Sequence, residues 1–467
     1  MKNRFLIGLL TLIVLALCTA CGHKHNSSST STSSIRLVNA TKVAGLSLTV
    51  TNSTANSTAQ TVATGTTAGT SSAYASVTTG SSSYVVSGGS LTASTTQNIA
   101  FTSGYYYTIV AYERNGAILV QAFSDGQSGQ TAPATGYAFL GIGNPAPDAG
   151  PLDVYIVSPG TVIDDTVTPK YSNAYSGGNT QTQSIAAGTY DIVVTAYNKP
   201  ADVRFKWSSL VIADQEVAML MLLNTPGGAL LDGALVQQSI TTSSGGAITV
   251  RANANARVRL VGAFSGLYRL DYTGSGSVTD SVISNGIGAN GYRVVPAGTA
   301  VQSVTVTPSG GGPVSASLPV SVTGTPLVAG NEYTLLVYGS LATPSVQLIT
   351  DNNQAPSQAR IRMINVVSWP GNDAFNVISL YNSSVTLFAQ PVGYQQVSAY
   401  AGLTTGVSHL NAQVEARSSP LSPLVLIEDG KNIAYGGVYT LVMGGNSTDT
   451  TQNYKLVLDR CLPTFTC

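Results

Sequence analysis

Asn331–Asn365 reads NEYTLLVYGSLATPSVQLITDNNQAPSQARIRMIN. Tyr333–Tyr338 has the aromatic and β-branched content of a strand, Gly339–Pro344 has turn residues, and Val346–Thr350 reads as a second strand. A polar linker follows, and Ala359–Asn365 starts a fresh strand. The same order recurs along the chain. Gly104–Tyr112 (GYYYTIVAY) and Gly437–Met443 (GVYTLVM) repeat the first strand. Ser34–Ala40 (SIRLVNA) and Ala256–Gly262 (ARVRLVG) repeat the last. The stretch is therefore the seam between two copies of one β-rich unit.

The landmark strand is centred on Tyr107, Ala218, Tyr333 and Tyr439, at spacings of 111, 115 and 106 residues. Each interval fits one sandwich of several short strands, as in an immunoglobulin-like domain. It is too long for the common solenoid repeats. The expected fold is all-β, with about four tandem immunoglobulin-like antiparallel β-sandwiches strung as beads. The boundaries fall at 35–136, 137–252, 253–358 and 359–467, after a leader (1–20) and a tether (21–34).

Only 9% of the 467 residues are charged, the formal net charge is zero, and glycine is abundant at 48. Loss of Lys2 and Arg4 with a leader would leave 19 basic against 21 acidic residues. No basic field gathers phosphates, so nucleic acid is not an expected partner. Past residue 20 there is no apolar run near the roughly 18 residues of a spanning helix.

Met1–Arg4 is basic, Phe5–Leu17 is apolar, and Cys18-Thr19-Ala20-Cys21 follows. That order marks a secretory signal peptide. Thr19-Ala20-Cys21 resembles a bacterial lipobox, with Cys18 where leucine is usual. The resemblance implies lipidation of Cys21 and an anchor in the cell envelope. Gly22 after it, rather than aspartate, implies the outer membrane. Gly22–Ser34 (GHKHNSSSTSTSS) is then a flexible tether, with His23 and His25 as solvated residues.

In the first unit, Leu46–Val50 alternates as a strand, and Ala117–Phe123 completes a hairpin with Gly104–Tyr112 across Arg114-Asn115-Gly116. Asn52–Gly80 is almost pure Ser, Thr, Ala and Gly and reads as a long loop or degenerate strands. In the second unit, Tyr137–Gly143 and Leu152–Val157 are strands, and Tyr190, Ile192 and Val194 share one face. Val217–Leu223 (VAMLMLL) is continuously apolar; its place in the repeat makes it a strand buried on both faces, although periodicity alone would allow a helix.

NPAPDAGPLDVYI (144–156) followed by IAAGTYDIVVTA (185–196) resembles the bacterial family called domain of unknown function 4397. Pro147-Asp148-Ala149, Leu152-Asp153-Val154-Tyr155 and Ala187-Gly188-Thr189-Tyr190 carry the likeness; Ala146 stands where the family usually has serine. The other units match by pattern only. The resemblance implies exported, often tandem, often lipid-anchored β-sandwiches, and it brings no catalytic residues.

Candidate chemistry is sparse. Cys461 and Cys467 in RCLPTFTC read as a disulfide closing a small loop in an oxidising compartment, with metal binding a lesser alternative. His409 lacks a Gly-x-Ser-x-Gly elbow and reads as a solvated histidine. Asp148, Asp153, Asp164 and Asp165 are the carboxylates from which a glycosidase pair could be drawn. Asp148 is expected to cap its own turn and Asp153 to face solvent. Clustering of Asp148, Asp153 and Asp191 would favour an enzyme. Asp351-Asn352-Asn353 lacks the oxygen spacing of a dedicated calcium loop. The 23 tyrosines suit sheet packing or a sugar-binding face.

The expectation is a non-enzymatic envelope lipoprotein with structural, adhesive or protein-interaction roles, with no cofactor or metal. The membrane is its partner through the lipid, with envelope proteins or glycans beyond it. The alternative is an array of carbohydrate-binding modules on envelope or host glycans.

Overall fold

The apolar landmark segments lie at the centre of their sheets as the strands Tyr105–Arg114, Val217–Asn224, Glu332–Gly339 and Val438–Asn446. The computed structural model describes residues 31–53, 58–89, 95–114, 116–127, 131–180, 182–238, 248–368, 376–382, 385–388, 390, 392–403, 409–416, 424–429, 436–446 and 453–460. Beside each central strand runs the opening strand of its unit: Thr32–Asn39, Tyr137–Asn144, Asn255–Gly274 or Ala359–Ser368. These pairs are parallel, and their registers agree: Ile35↔Tyr107, Leu140↔Ala218, Val258↔Tyr333 and Ile361↔Tyr439. On the other side lies an antiparallel closing strand: Ala117–Gln127, Leu231–Gln237, Pro344–Asp351 or Asn453–Leu458. We call this layer the front sheet.

A second, antiparallel layer backs each front sheet, giving the expected all-β sandwiches with one parallel pair per front sheet. In the first unit this back sheet comprises Leu46–Asn52, Ala59–Thr66, Gly80–Gly88 and Thr95–Phe101. Ala59–Thr66, Thr70–Ser71 and Ala75–Thr78 thus lie within the Ser/Thr-rich stretch, which forms short strands, the second of the two expectations, rather than one long loop. Ala63 and Val77 turn into the core of the sandwich, and Tyr74 is buried as well. The opening strand also takes in Thr32–Ser34 from the supposed tether, because they pair with Thr78–Ser76.

How an opening strand ends decides how the layers connect. Asn39, Asn144 and Asn365 each accept a hydrogen bond from the backbone N–H two residues on, and donate through Nδ2 to a main-chain carbonyl, that of Val43, Ala174 or Val392. This turn ends the strand at Asn39 and Asn144, whereas beyond Asn365 the opening strand stays paired with the central strand to Ser368. In the third unit Gly262 holds the corresponding place, and the strand runs on to Gly274, bending between Ala263 and Leu267 to join both layers. Gly266 at the bend has φ +87°, a conformation that favours glycine.

Each sandwich encloses its own core. The clusters around Leu37 and Ile109, Leu140 and Leu220, Leu260 and Leu335, and Met363 and Leu441 are separate. Val217–Leu223 is a strand buried on both faces: Ala218, Leu220 and Leu222 enter its own core, whereas Met219, Met221 and Leu223 face away. The outward residues are covered by Val38, Val110, Tyr112 and Phe123 of the first unit. Likewise, Val261, Leu336 and Tyr338 of the third unit pack on Ile364, Val366 and Val442 of the fourth. The beads expectation is therefore corrected. The front sheets bury their outer faces against one another, first with second and third with fourth, because those faces are too apolar to be left in water.

Candidate functional site

The buried faces of the front sheets also carry charge. In three opening strands an arginine sits one register place after the landmark pair: Arg36, Arg259 and Arg362, all at most 2% exposed. Each arginine donates through Nε to the threonine beside it: Thr108 (2.9 Å), Thr334 (2.8 Å) or Thr440 (2.9 Å). Each threonine donates in turn to an aspartate at the end of the closing strand or just beyond it, Asp125, Asp351 or Asp459. A tyrosine lies under each guanidinium and donates to the same aspartate. These are Tyr74, Tyr292 and Tyr400, with ring centroids 4.6, 4.8 and 5.1 Å from the arginines.

Between the third and fourth units the charges cross over. Arg259 Nη1 pairs with Asp459 Oδ1 at 2.6 Å, and Arg362 pairs with Asp351. The two arginines, two threonines and two aspartates therefore close a ring spanning both units. Burial works against the charge on Arg259, but the carboxylates of Asp459 and Asp351 hold its pKa above the usual guanidinium value. Burial likewise opposes the charge on Arg362, and Asp351 is the main group that raises it.

The first and second units share an open version. Where the ring would have a second arginine, threonine and aspartate, the second unit has Gly141, Met219 and Gln238. Gln238 Nε2 reaches Asp125 at 2.8 Å, and Arg36 Nη1 reaches the Gln237 carbonyl at 2.9 Å. Two residues along the strand from Gly141, a second glycine makes room for the methionine side chains. A Cβ on Gly143 would overlap the Met221 sulfur, so glycine leaves the room that the methionines fill.

The candidate carboxylates serve as local organisers. Asp148 accepts from Arg114 of the first unit (Nη2, 2.8 Å) and from the Ala355 N–H, and so ties the first two units to the 351–358 linker. Contrary to expectation it does not cap its own turn: its carboxylate is taken up by the Arg114 guanidinium and the Ala355 N–H. Asp153 is 2% exposed, contrary to its expected solvent face. Its oxygens accept from Ser172 Oγ and from the N–H groups of Asn173 and Asn198. Both asparagines have positive φ, so this carboxylate holds two strained turns. Asp191 accepts from the N–H groups of Ser209 and Gly160 and faces Lys206 at 3.2 Å. Burial would raise its pKa, but these donors hold it below the usual carboxylate value. Asp148, Asp153 and Asp191 thus have separate donor sets and form no common pocket.

Asp164 binds Thr166 on the surface, and Asp164 and Asp165 line a shallow groove beside Lys199. Asp351-Asn352-Asn353 is engaged by Arg362, Arg360 and Glu332. No group of three or more His, Cys, Asp or Glu side chains that could hold a metal occurs among the described residues. His409 lies on the strand His409–Ala416, and its side chain is outside the description. Cys21, His23, His25, Cys461 and Cys467 lie outside the described residues.

The landmark tyrosines turn inward. Tyr107 and Tyr333 are buried, and each hydroxyl accepts from the N–H five residues earlier, Thr102 or Val328, at 3.0 Å. This is the bracing of a tyrosine corner. The larger exposed tyrosines are Tyr137, Tyr175 and Tyr197.

Sequence reading missed the arginine clusters. Their signal was present as a charged residue repeated in apolar strands, SIRLVNA, ARVRLVG and ARIRMIN, with threonine after the landmark tyrosine.

The fold and these clusters define a chain of tandem all-β sandwiches joined in pairs through buried faces. No family model matches the chain, and no curated protein matches it. Among solved structures it is similar to a candidate cell adhesion protein from Bacteroides uniformis, at 13% identity and TM-score 0.22, covering 47% of this chain and all of that one. It is also similar to a leucine-rich repeat protein from Bacteroides thetaiotaomicron, at 16% identity and TM-score 0.14, covering 43% of this chain and a quarter of that one.

Proposed function

We propose that the chain is a non-enzymatic lipoprotein of the bacterial cell envelope, held to the outer membrane through lipidated Cys21. Its sandwiches, of the kind seen in the family called domain of unknown function 4397, serve structural, adhesive or protein-interaction roles. The observation that carries this reading is where the polar investment lies. The buried arginines and aspartates join one sandwich to the next, as suits a scaffold that must hold its parts in fixed relation.

Labelling of expressing cells with an alkyne palmitate tests the anchor. Label on the wild type, lost with Cys21→Ser together with release from the membrane fraction, supports it. Label retained on Cys21→Ser refutes it. Surface accessibility to protease on intact cells, followed by binding of cells with and without the protein to matrix and to neighbouring cells, tests the adhesive role.

A further inference from the structure

We propose that the cleft where the first two sandwiches meet the 351–358 linker binds an extended peptide segment. The cleft holds about 570 Å³, within the common size of ligand sites, and it lies at an inter-domain junction, where such sites concentrate. It continues the apolar seam between the first two front sheets. Beyond Leu223 and Ala40 the walls part, and Asn352 and Gln354 of the linker also line the space.

Two lining residues carry buried polar atoms without partners. Asn224 has neither its Nδ2 nor its Oδ1 in a hydrogen bond. Gln354, 4% exposed, is pinned through Nε2 on the Thr225 and Pro226 carbonyls, while its Oε1 has no partner. Buried groups left this way cost free energy that a bound partner returns. A carboxamide presents one donor and one acceptor side by side, the complement of the C=O and N–H of a peptide chain. Both atoms are buried, so Asn224 meets a peptide through a side-chain rotation that brings the carboxamide into the cleft.

The remaining wall fits the same class. Lys42 and Arg114 are balanced by Glu113 and Asp232, so no single sign of charge dominates, as a phosphate or polyanion would require. Among the described residues no aromatic side chain lines the cleft, so they offer a sugar no stacking platform. Val250, 47% exposed, belongs to Ile248–Arg251, the last strand of its sheet among the described residues, and places an apolar side chain and that sheet edge at the rim. Peptides add to such edges through main-chain hydrogen bonds. This inference goes beyond the envelope reading and does not depend on lipidation or adhesion.

The test uses the full chain in detergent against an array of N-acetylated, C-amidated heptapeptides, with an oligosaccharide array in parallel. Positive peptides are then titrated by fluorescence polarisation. Saturable binding is expected, weakened about tenfold or more by Asn224→Leu, which removes both amide hydrogen bonds. The melting temperature of Asn224→Leu should stay equal or rise, since an unpaired amide has been replaced by an apolar group. Val250→Trp, at an exposed position, should block binding without unfolding the protein. The proposal is overturned if no peptide saturates, if both variants bind as the wild type does, if Asn224→Leu lowers the melting temperature, or if only oligosaccharides bind.

Discussion

Removing Asp459 should unlock the third and fourth sandwiches from each other. In Asp459→Leu the carboxylate that neutralises Arg259 at 2.6 Å is gone, and Thr440 loses its acceptor. Arg259 and Arg362 would then share Asp351 alone in a site where the side chains are 0–3% exposed. Leaving one member of a buried pair uncompensated costs about 3–5 kcal/mol. For two coupled units of about 200 residues, each kcal/mol lowers the midpoint by about 2–4 °C, so a fall of about 6–20 °C is expected. Because the ring crosses the interface, the loss should appear first as separation of the two units: a broader or split transition by calorimetry. The double variant Arg259→Met/Asp459→Leu removes the whole pair and should recover most of the loss, since apolar replacement of a buried pair is often neutral. A cycle of the two single variants and the double should give a coupling of about 2–3 kcal/mol. A single sharp transition within about 1 °C of wild type for Asp459→Leu would refute the reasoning, because that pair would then contribute no more than an exposed surface pair.

The open cluster between the first two units should respond to its one shared carboxylate. Asp125→Ala leaves Arg36, Tyr74, Thr108 and Gln238 without their common partner and should cost about 3 kcal/mol or more in urea unfolding. Gly143→Val should destabilise the same interface by about 1–3 kcal/mol through overpacking against Met219 and Met221, and Met221→Ala in the same chain should relieve part of it. Alkali should unfold the protein in a definite window. Burial raises the hydroxyls of Tyr84, Tyr268 and Tyr272 from about 10 to about 12, so between those values the unfolded chain releases protons that the folded chain keeps. Stability is therefore complete below pH 10 and lost as pH rises toward 12; a melting temperature unchanged across that range would contradict it. At the C-terminus, Cys461 and Cys467 should react with iodoacetamide only after reduction, as peptide mass mapping would read.

The repeat was legible in the sequence as a set of corresponding strands, and the structure added their parallel pairing and register. The residues that mark it, Tyr107, Ala218, Tyr333 and Tyr439, each stand opposite the corresponding residue of an opening strand, because local apolar patterning fixes which segments become central strands. The double-sided burial of Val217–Leu223 was legible for the same reason. What covered its second face was not, since apolar residues report that they are buried and not against what. Asp153 shows the limit most clearly. Alternation placed it toward water, yet two turns distant in sequence, at Asn173 and Asn198, fold back and bury it as their shared acceptor. The arginines of SIRLVNA, ARVRLVG and ARIRMIN stood in plain view. Only the tertiary structure could join Arg259 to Asp459 and Arg362 to Asp351, because a buried charge is stable only where the fold brings it a partner, and these partners come from a different repeat.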